Sequence, residues 1–253
     1  MTSFDPETPI GQIGAAYPQS LGLFERFGLD YCCQGARTLR EACKSTGTDL
    51  QRVLTALADM PAVEHRTEKD WTSATMTELA DHIENTHHAF ARDVFSRLSV
   101  LVPKVAAHHG AAQPELIELE RVVARLREEM IDHMIREDRV LFPWLRRLDR
   151  RLEIHTGPPW SVRRPIDCMM HDHDEVGRML QQIQGLTSDF TPPAGACASF
   201  RAMVGLLREL EQDTHVHIHK ENNILFPAGI RAEAEEVERR EDRTGKSQPA
   251  API

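Results

Sequence analysis

Between Trp71 and about Ile230, apolar residues recur at the three- and four-residue steps of an amphipathic helix in four long stretches: 73–101, 113–149, 162–187 and 195–225. Helix breakers separate them, at Pro103 to Gly110, Thr156-Gly-Pro-Pro159 and Thr191-Pro-Pro-Ala-Gly195. Long helices joined by short links pack as antiparallel neighbours, so the pattern predicts an up-down four-helix bundle over 71–230. Ahead of it, residues 1–62 carry shorter periods and read as a small helical N-terminal module. Thr8-Pro9 opens a first helix with Ile10, Ile13, Ala16 and Tyr17 on one face, and Leu21, Phe24 and Phe27 mark a second that stops at Gly28. Thr38-Leu-Arg-Glu41 has the spacing of a capping box for a third helix, and Thr48 or Asp49 can cap a fourth over Val53, Leu54 and Leu57. Residues 61–70, PAVEHRTEKD, show no period and read as a linker or hinge. Residues 231–253 lose the apolar face and end in GKSQPAAPI, which predicts a frayed or disordered tail. The fold class expected is all-α.

Composition narrows this picture. Apolar residues make up 41% of the 253, enough to bury a core without disulfides, while only 6% are aromatic, as helices rich in Ala, Leu, Glu and Arg would have. The formal charge of −9 argues against nucleic acid as the main partner, because phosphate binding needs a concentrated basic face. Arg146, Arg147, Arg150 and Arg151 form one basic cluster, which suits a solvated helix C-terminus. No window approaches 18 uncharged apolar residues, so no membrane span is expected. The start, MTSFDPETPI, lacks the pattern of a secretory signal, and five cysteines form no even disulfide framework. Both features point to the cytoplasm.

Candidate chemistry lies in a sentence the chain repeats 84 residues on. His133-Met-Ile-Arg-Glu137 is followed by Leu141-Phe142-Pro143, and His217-Ile-His-Lys-Glu221 by Leu225-Phe226-Pro227. The four-residue step puts His and Glu on one helix face, and Phe-Pro is expected to close each helix, because Pro disfavours the helical region in the residue before it. A single H-x-x-x-E is weak, since His171 and Glu175 share the spacing without the Leu-Phe-Pro context. Duplication with the same downstream residues implies two equivalent helices. Partners at matched offsets come from the preceding helices: His88 lies 45 residues before His133, and His173 lies 44 before His217. The resulting set is His88, His133, Glu137, His173, His217 and Glu221. Four imidazoles and two carboxylates suit two iron or manganese ions, with Glu137 and Glu221 bridging and each His pair completing one metal. His82, His87, His171, His215 and His219 are expected at the surface or behind the ligands, and Glu84, Asp132, Asp172 and Asp174 are candidates to orient the imidazoles.

Cys32 and Cys33 stand apart. Adjacent side chains diverge, so the pair is not a usual zinc clamp. It sits in a turn beside Gly35 ahead of a helix, where the dipole could lower a thiol pKa, making a redox-active or NO-reactive pair the alternative to plain packing. Cys43, Cys168 and Cys197 read as structural.

Together these residues resemble the RIC family (repair of iron centres), iron–sulfur cluster repair di-iron proteins with a hemerythrin-like domain. The resemblance rests on F-x-x-x-G-L-D-Y-C-C-x-G from Phe24 to Gly35, and on D-H-I-E-N-T-H-H, H-M-I-R-E-x-x-x-L-F-P, M-M-H-D-H-D-E-V-G and H-I-H-K-E-N-N-I-L-F-P, over residues 8 to about 230. It implies a hemerythrin-like up-down bundle whose ligands fall on the same six residues, with the family's vicinal cysteines at Cys32 and Cys33. It also implies a cytoplasmic, stress-induced non-haem protein with two iron ions, which restores iron–sulfur clusters damaged by nitric oxide or peroxide, by donating iron. Its clients would be the damaged iron–sulfur proteins, with NO or O2 as small ligands; reduction of NO, and reversible binding of O2 or NO as carrier or sensor, are the alternatives. Self-association into a homodimer stays open. Two departures are visible: Gln34 stands where the family usually has Gly, a residue that tolerates positive φ, and the charged C-terminal tail is longer.

Overall fold

The computed structural model describes residues 4–60, 69–150 and 161–245, and among them the chain is helical with no extended strand. Four short helices make the N-terminal module: α1 (Ile10–Ala16), α2 (Leu21–Arg26), α3 (Leu39–Thr46) and α4 (Leu50–Ala58). Local chemistry sets their limits. Gly28, at φ 65°, lets the chain turn after α2. The expected capping box forms at α3, where the Thr38 hydroxyl accepts from Glu41 N–H at 3.2 Å and the Glu41 carboxylate accepts from Thr38 N–H at 3.0 Å. Asp49 caps α4 by accepting from Gln51 N–H at 2.8 Å.

Four long helical rods follow. The first joins α5 (Met76–His82), a π-helical turn (Ile83–His88) and α6 (Ala89–His109). The second joins α7 (Glu115–Arg136), a π-helical turn (Glu137–Leu141) and α8 (Phe142–Asp149). The third is the unbroken α9 (Arg163–Leu186). The fourth joins α10 (Ala198–Lys220), a π-helical turn (Glu221–Leu225) and α11 (Phe226–Gly245). Helix α6 packs on α7 and α10, and α7 packs in turn on α9.

Three expectations need correction. Phe-Pro does not close the helices: α8 and α11 run on through Pro143 and Pro227. Proline lacks an N–H and its ring collides with the carbonyl four residues back, so a regular helix would break there. The π-helical turn just before each proline adds a residue and widens the ladder; Phe142 N–H bonds to Glu137 O and Phe226 N–H to Glu221 O, five residues back. Likewise Pro103 lies inside α6 and not in a connection. Finally, helix continues to Gly245, past the expected bundle limit at 230. Residues 246–253 of that expected tail, most of the 61–70 linker and the Thr156–Pro159 link lie outside the described residues.

The apolar interior is divided. One buried cluster, with Ile83, Leu141, Phe142, Met169, Leu225 and Phe226, fills one end of the bundle. A second, with Val94, Met130, Val176 and Leu210, fills the other and continues into Ile10, Phe24, Tyr31 and Leu39 of the N-terminal module. Along every rod the gap between these clusters is where His88, His133–Glu137, His173 and His217–Glu221 fall.

Candidate metal centre

The π-helical turns place three of the six candidate side chains: His88 ends the first, Glu137 begins the second and Glu221 begins the third. The second and third turns let the carboxylate and the following Leu-Phe pair all point inward, so that Glu137, Leu141 and Phe142 are buried together, as are Glu221, Leu225 and Phe226. All six candidates are at most 1% exposed.

Their donor atoms converge in two overlapping groups, His88–His217–Glu137–Glu221 and His133–His173–Glu137–Glu221, each with its ligand atoms within 4.8 Å of one another. Both carboxylates belong to both groups. His88 Nε2 lies 3.2 Å from His217 Nε2, and His133 Nε2 lies 3.1 Å from His173 Nε2. Glu137 Oε2 sits 3.4 Å from His88 Nε2 and 3.2 Å from His133 Nε2. Glu221 sits 3.1 Å from His173 Nε2 through Oε2 and 2.9 Å from His217 Nε2 through Oε1. Imidazoles thus pair across the hairpins, although the 45- and 44-residue offsets suggested pairing within them.

The outer ring nitrogens are also engaged. His88 Nδ1 lies 2.7 Å from Asp138 Oδ1, His133 Nδ1 3.3 Å from Asp172 Oδ2 and His173 Nδ1 2.9 Å from Asn222 Oδ1. These oxygens only accept, so Nδ1 carries a proton and Nε2 faces inward, where loss of its own proton gives the tautomer a metal ligand needs. Of the four carboxylates expected to orient imidazoles, only Asp172 does so. Glu84 pairs with Arg146 at 2.9 Å, Asp132 with Arg136 at 3.4 Å, and Asp174 is exposed. Asp138 and Asn222 were missed, yet each directly follows a duplicated Glu, a position the repeat itself marks. Among the remaining histidines, His87 and His219 are buried and His171 is exposed.

Electrostatics and donor chemistry favour a cation here. Burial opposes charge on His88, but its hydrogen bond to Asp138 and the Glu137 carboxylate outweigh this and lift it to about 9. Burial is likewise overcome at His133, chiefly by Glu137, which lifts it to about 10. Burial and the Glu221 charge push Glu137 up, and the imidazoles of His133 and His88 reverse this to about 2. Glu221 also falls well below the carboxylate range, burial being overcome by His217 and His173. At His217 burial wins over the Glu221 carboxylate and lowers the pKa. Both carboxylates therefore keep their charge deep in an apolar interior, and both Glu137 oxygens and Glu221 Oε2 have no hydrogen-bond donor. Buried carboxylates of this kind need positive charge beside them, supplied by protonated imidazoles or by a cation that displaces the Nε2 protons. Four imidazole nitrogens and two shared carboxylates are donors of the kind that suits a non-haem metal centre.

Cys32 and Cys33 lie 3.8 Å apart as free thiols, with Cys32 buried. Asp30 Oδ1 accepts from Cys32 Sγ at 3.3 Å and from Cys33 N–H at 2.9 Å. The expected lowering by a helix dipole is not found at Cys32. Its thiol is held well above the ordinary value by the hydrogen bond with Cys33, by burial and by Asp30, and α3 begins only at Leu39. Gln34 has no positive φ, so the departure from Gly strains nothing. The loop seats on the bundle: Asn222 Nδ2 donates to Cys32 O and Asn223 Nδ2 to Tyr31 O, both at 3.2 Å. Cys43 is buried as expected of a packing residue; Cys168 and Cys197 are exposed.

Known proteins share this organisation. Residues 78–229 match the hemerythrin HHE cation binding domain, and residues 6–60 match a domain of unknown function, DUF542. The chain is 33% identical over 227 residues to the iron–sulfur cluster repair protein YtfE of Escherichia coli O157:H7, covering 90% of this chain and 98% of that one. It is 34% identical to YtfE of Dickeya chrysanthemi, with 88% and 97% covered, and 32% identical to YtfE of Musicola paradisiaca, with 90% and 98% covered. With both domains matched in order and the likeness running along nearly its whole length, the chain belongs to the family of the YtfE iron–sulfur cluster repair proteins, the repair-of-iron-centres family that its motifs resemble.

Proposed function

We propose that this chain is a non-haem di-iron protein that repairs iron–sulfur clusters damaged by nitrosative or oxidative stress, by supplying iron. The observation that carries the reading is the sharing of Glu137 and Glu221 between two buried His pairs. His88 and His217 would hold one ion, His133 and His173 the other, with both carboxylates between them. When bound, the irons supply the ions to be delivered and positions open to NO or O2. The chain's own residues do the rest. Asp138, Asp172 and Asn222 fix the imidazole tautomer by taking the Nδ1 proton. The apolar clusters on either side exclude water. That the relatives are iron–sulfur cluster repair proteins supports this reading, with damaged iron–sulfur proteins as clients. The reading treats 1–62 and 71–230 as two domains, supported by the separate matches over 6–60 and 78–229. No helix among the described residues is long and apolar enough to cross a membrane. We place the chain in the cytoplasm, where vicinal thiols stay reduced.

Metal analysis of the purified chain is expected to give two irons. Glu137→Ala and Glu221→Ala should each lower this below two, because each removes a ligand from both positions; full occupancy in both variants rejects the shared-carboxylate assignment. Incubated anaerobically with an NO-damaged cluster enzyme, the iron-loaded chain should restore its activity. Failure to do so, with nitrous oxide formed from NO, would favour NO reduction instead.

A further inference from the structure

The bundle contains its own control experiment, because the second hairpin repeats the first with an offset of 84 or 85 residues. Arg136 corresponds to Lys220, Glu137 to Glu221, Asp138 to Asn222, and Asp172, just before His173, to His87, just before His88. In one copy Asp172 takes the Nδ1 proton of His133 at 3.3 Å and is itself held by Arg136 at 2.9 Å. In the other copy an imidazole occupies the place of that carboxylate. His87 is buried and lies parallel to His217, with ring centroids 5.5 Å apart and planes within 4°. It offers His217 no acceptor, because both its ring nitrogens are engaged. Nδ1 lies 2.8 Å from Asp213, and Nε2 accepts from Lys220 Nζ at 2.9 Å; the same ammonium reaches His82 Nε2 at 2.9 Å. Lys220 thus stands where Arg136 stands in the other copy, but braces an imidazole. Three of the four inward imidazoles have an oxygen acceptor at Nδ1; His217 makes no such bond among the described residues.

A carboxylate behind a metal-bound imidazole fixes the ring and raises its basicity, and losing such a partner weakens metal affinity about 10–100-fold. We propose that the two metal positions are unequal by construction: the ion held through His217 and His88 is the one released, and His87 is the positioning residue that makes it so. This rests on the di-iron donor reading above and names which ion is delivered. The ion at His133 and His173 stays, since both of those imidazoles are backed by oxygen. Mutual replacement of the groups should move the weakness from one position to the other. In His87→Asp the new carboxylate would find His217 in front and Lys220 behind, reproducing the arrangement of Asp172 with Arg136.

The test is iron release from the full-length, iron-loaded chain into excess ferrous chelator under anaerobic conditions, followed by chelate absorbance. The wild-type chain should release iron in two phases of equal amplitude. His87→Asp should slow the fast phase about 10–100-fold, while His87→Ala, which adds no carboxylate, should leave it fast. Asp172→His should turn the slow phase fast by a similar factor, an independent check should His87→Asp not fold. A single phase in the wild-type chain, or rates unmoved by both His87→Asp and Asp172→His, would overturn the inequality. A chain that takes up fewer than two irons would instead overturn the di-iron reading on which it rests.

Discussion

Glu211 shows how a single residue can carry a cost of its own. It is half-buried on α10, and its carboxyl is pushed up to about 7, first by burial and then by the charges of Asp189 and Glu25, with Arg208 opposing. A carboxyl whose folded pKa exceeds its ordinary 4.5 binds its proton more tightly in the folded chain. The penalty is therefore absent below about pH 4.5, grows as pH rises and is complete above about 7. Discounted for its partial exposure, it amounts to about 1 kcal/mol. Glu211→Gln is expected to raise the melting temperature at pH 8 and leave it unchanged at pH 4.5; equal shifts at both would assign the gain to something other than charge. The same scale shows where reading a sequence stops. His and Glu four apart declare a common face, whereas the acceptors behind three of the imidazoles come from other rods: Asp138 reaches His88, Asp172 reaches His133 and Asn222 reaches His173.

Among the elements, prolines separate strain that is used from strain that is not. Pro143 and Pro227 follow π-helical turns that begin with Glu137 and Glu221, so the widened ladder both tolerates the proline and turns a carboxylate inward. Pro103 is exposed in the interior of α6 with no such turn beside it. An interior proline gives up a backbone hydrogen bond and crowds the carbonyl of Ser99, at up to about 3 kcal/mol. Pro103→Ala should therefore raise the unfolding midpoint in denaturant and leave metal content as it was. A lowered midpoint would show that the ring contributes packing that outweighs the missing bond. Periodicity identified the rods because burial repeats with the helical turn. It could not identify the π-helical turns, since one extra residue in the ladder leaves the apolar pattern nearly unchanged on either side.

In the whole molecule, the N-terminal module is held beside the centre by close contact. Asn223 donates to Tyr31 O, and a Cβ on Gly35 would enter the Asn223 side chain and come within 2.7 Å of Tyr31 O. Gly35→Ala should cost about 1–3 kcal/mol by overpacking. It should speed hydrogen exchange in the Tyr31–Gly35 loop while the bundle keeps its metal; unchanged exchange would mean that the loop is held elsewhere. The module also frames a cavity of about 500 Å³ lined by Asp30, Tyr31, Cys32, Cys33, Gly177 and Glu211, which gives the half-buried Cys33 thiol its surroundings. Sequence alone determined that the chain is helical and that two equivalent sets of two His and one Glu recur along it, the six side chains that the fold brings together. These follow from spacing along a helix and from matched offsets between helices, both of which are read along the chain. Only the tertiary structure decided which imidazoles face each other, that among the described residues His217 has no oxygen acceptor at Nδ1 while the other three do, and that Asn222 ties His173 to the cysteine loop. Those relations depend on how rods are rotated and ordered around the bundle. Offsets along the chain give a level on the axis and leave that rotation unspecified.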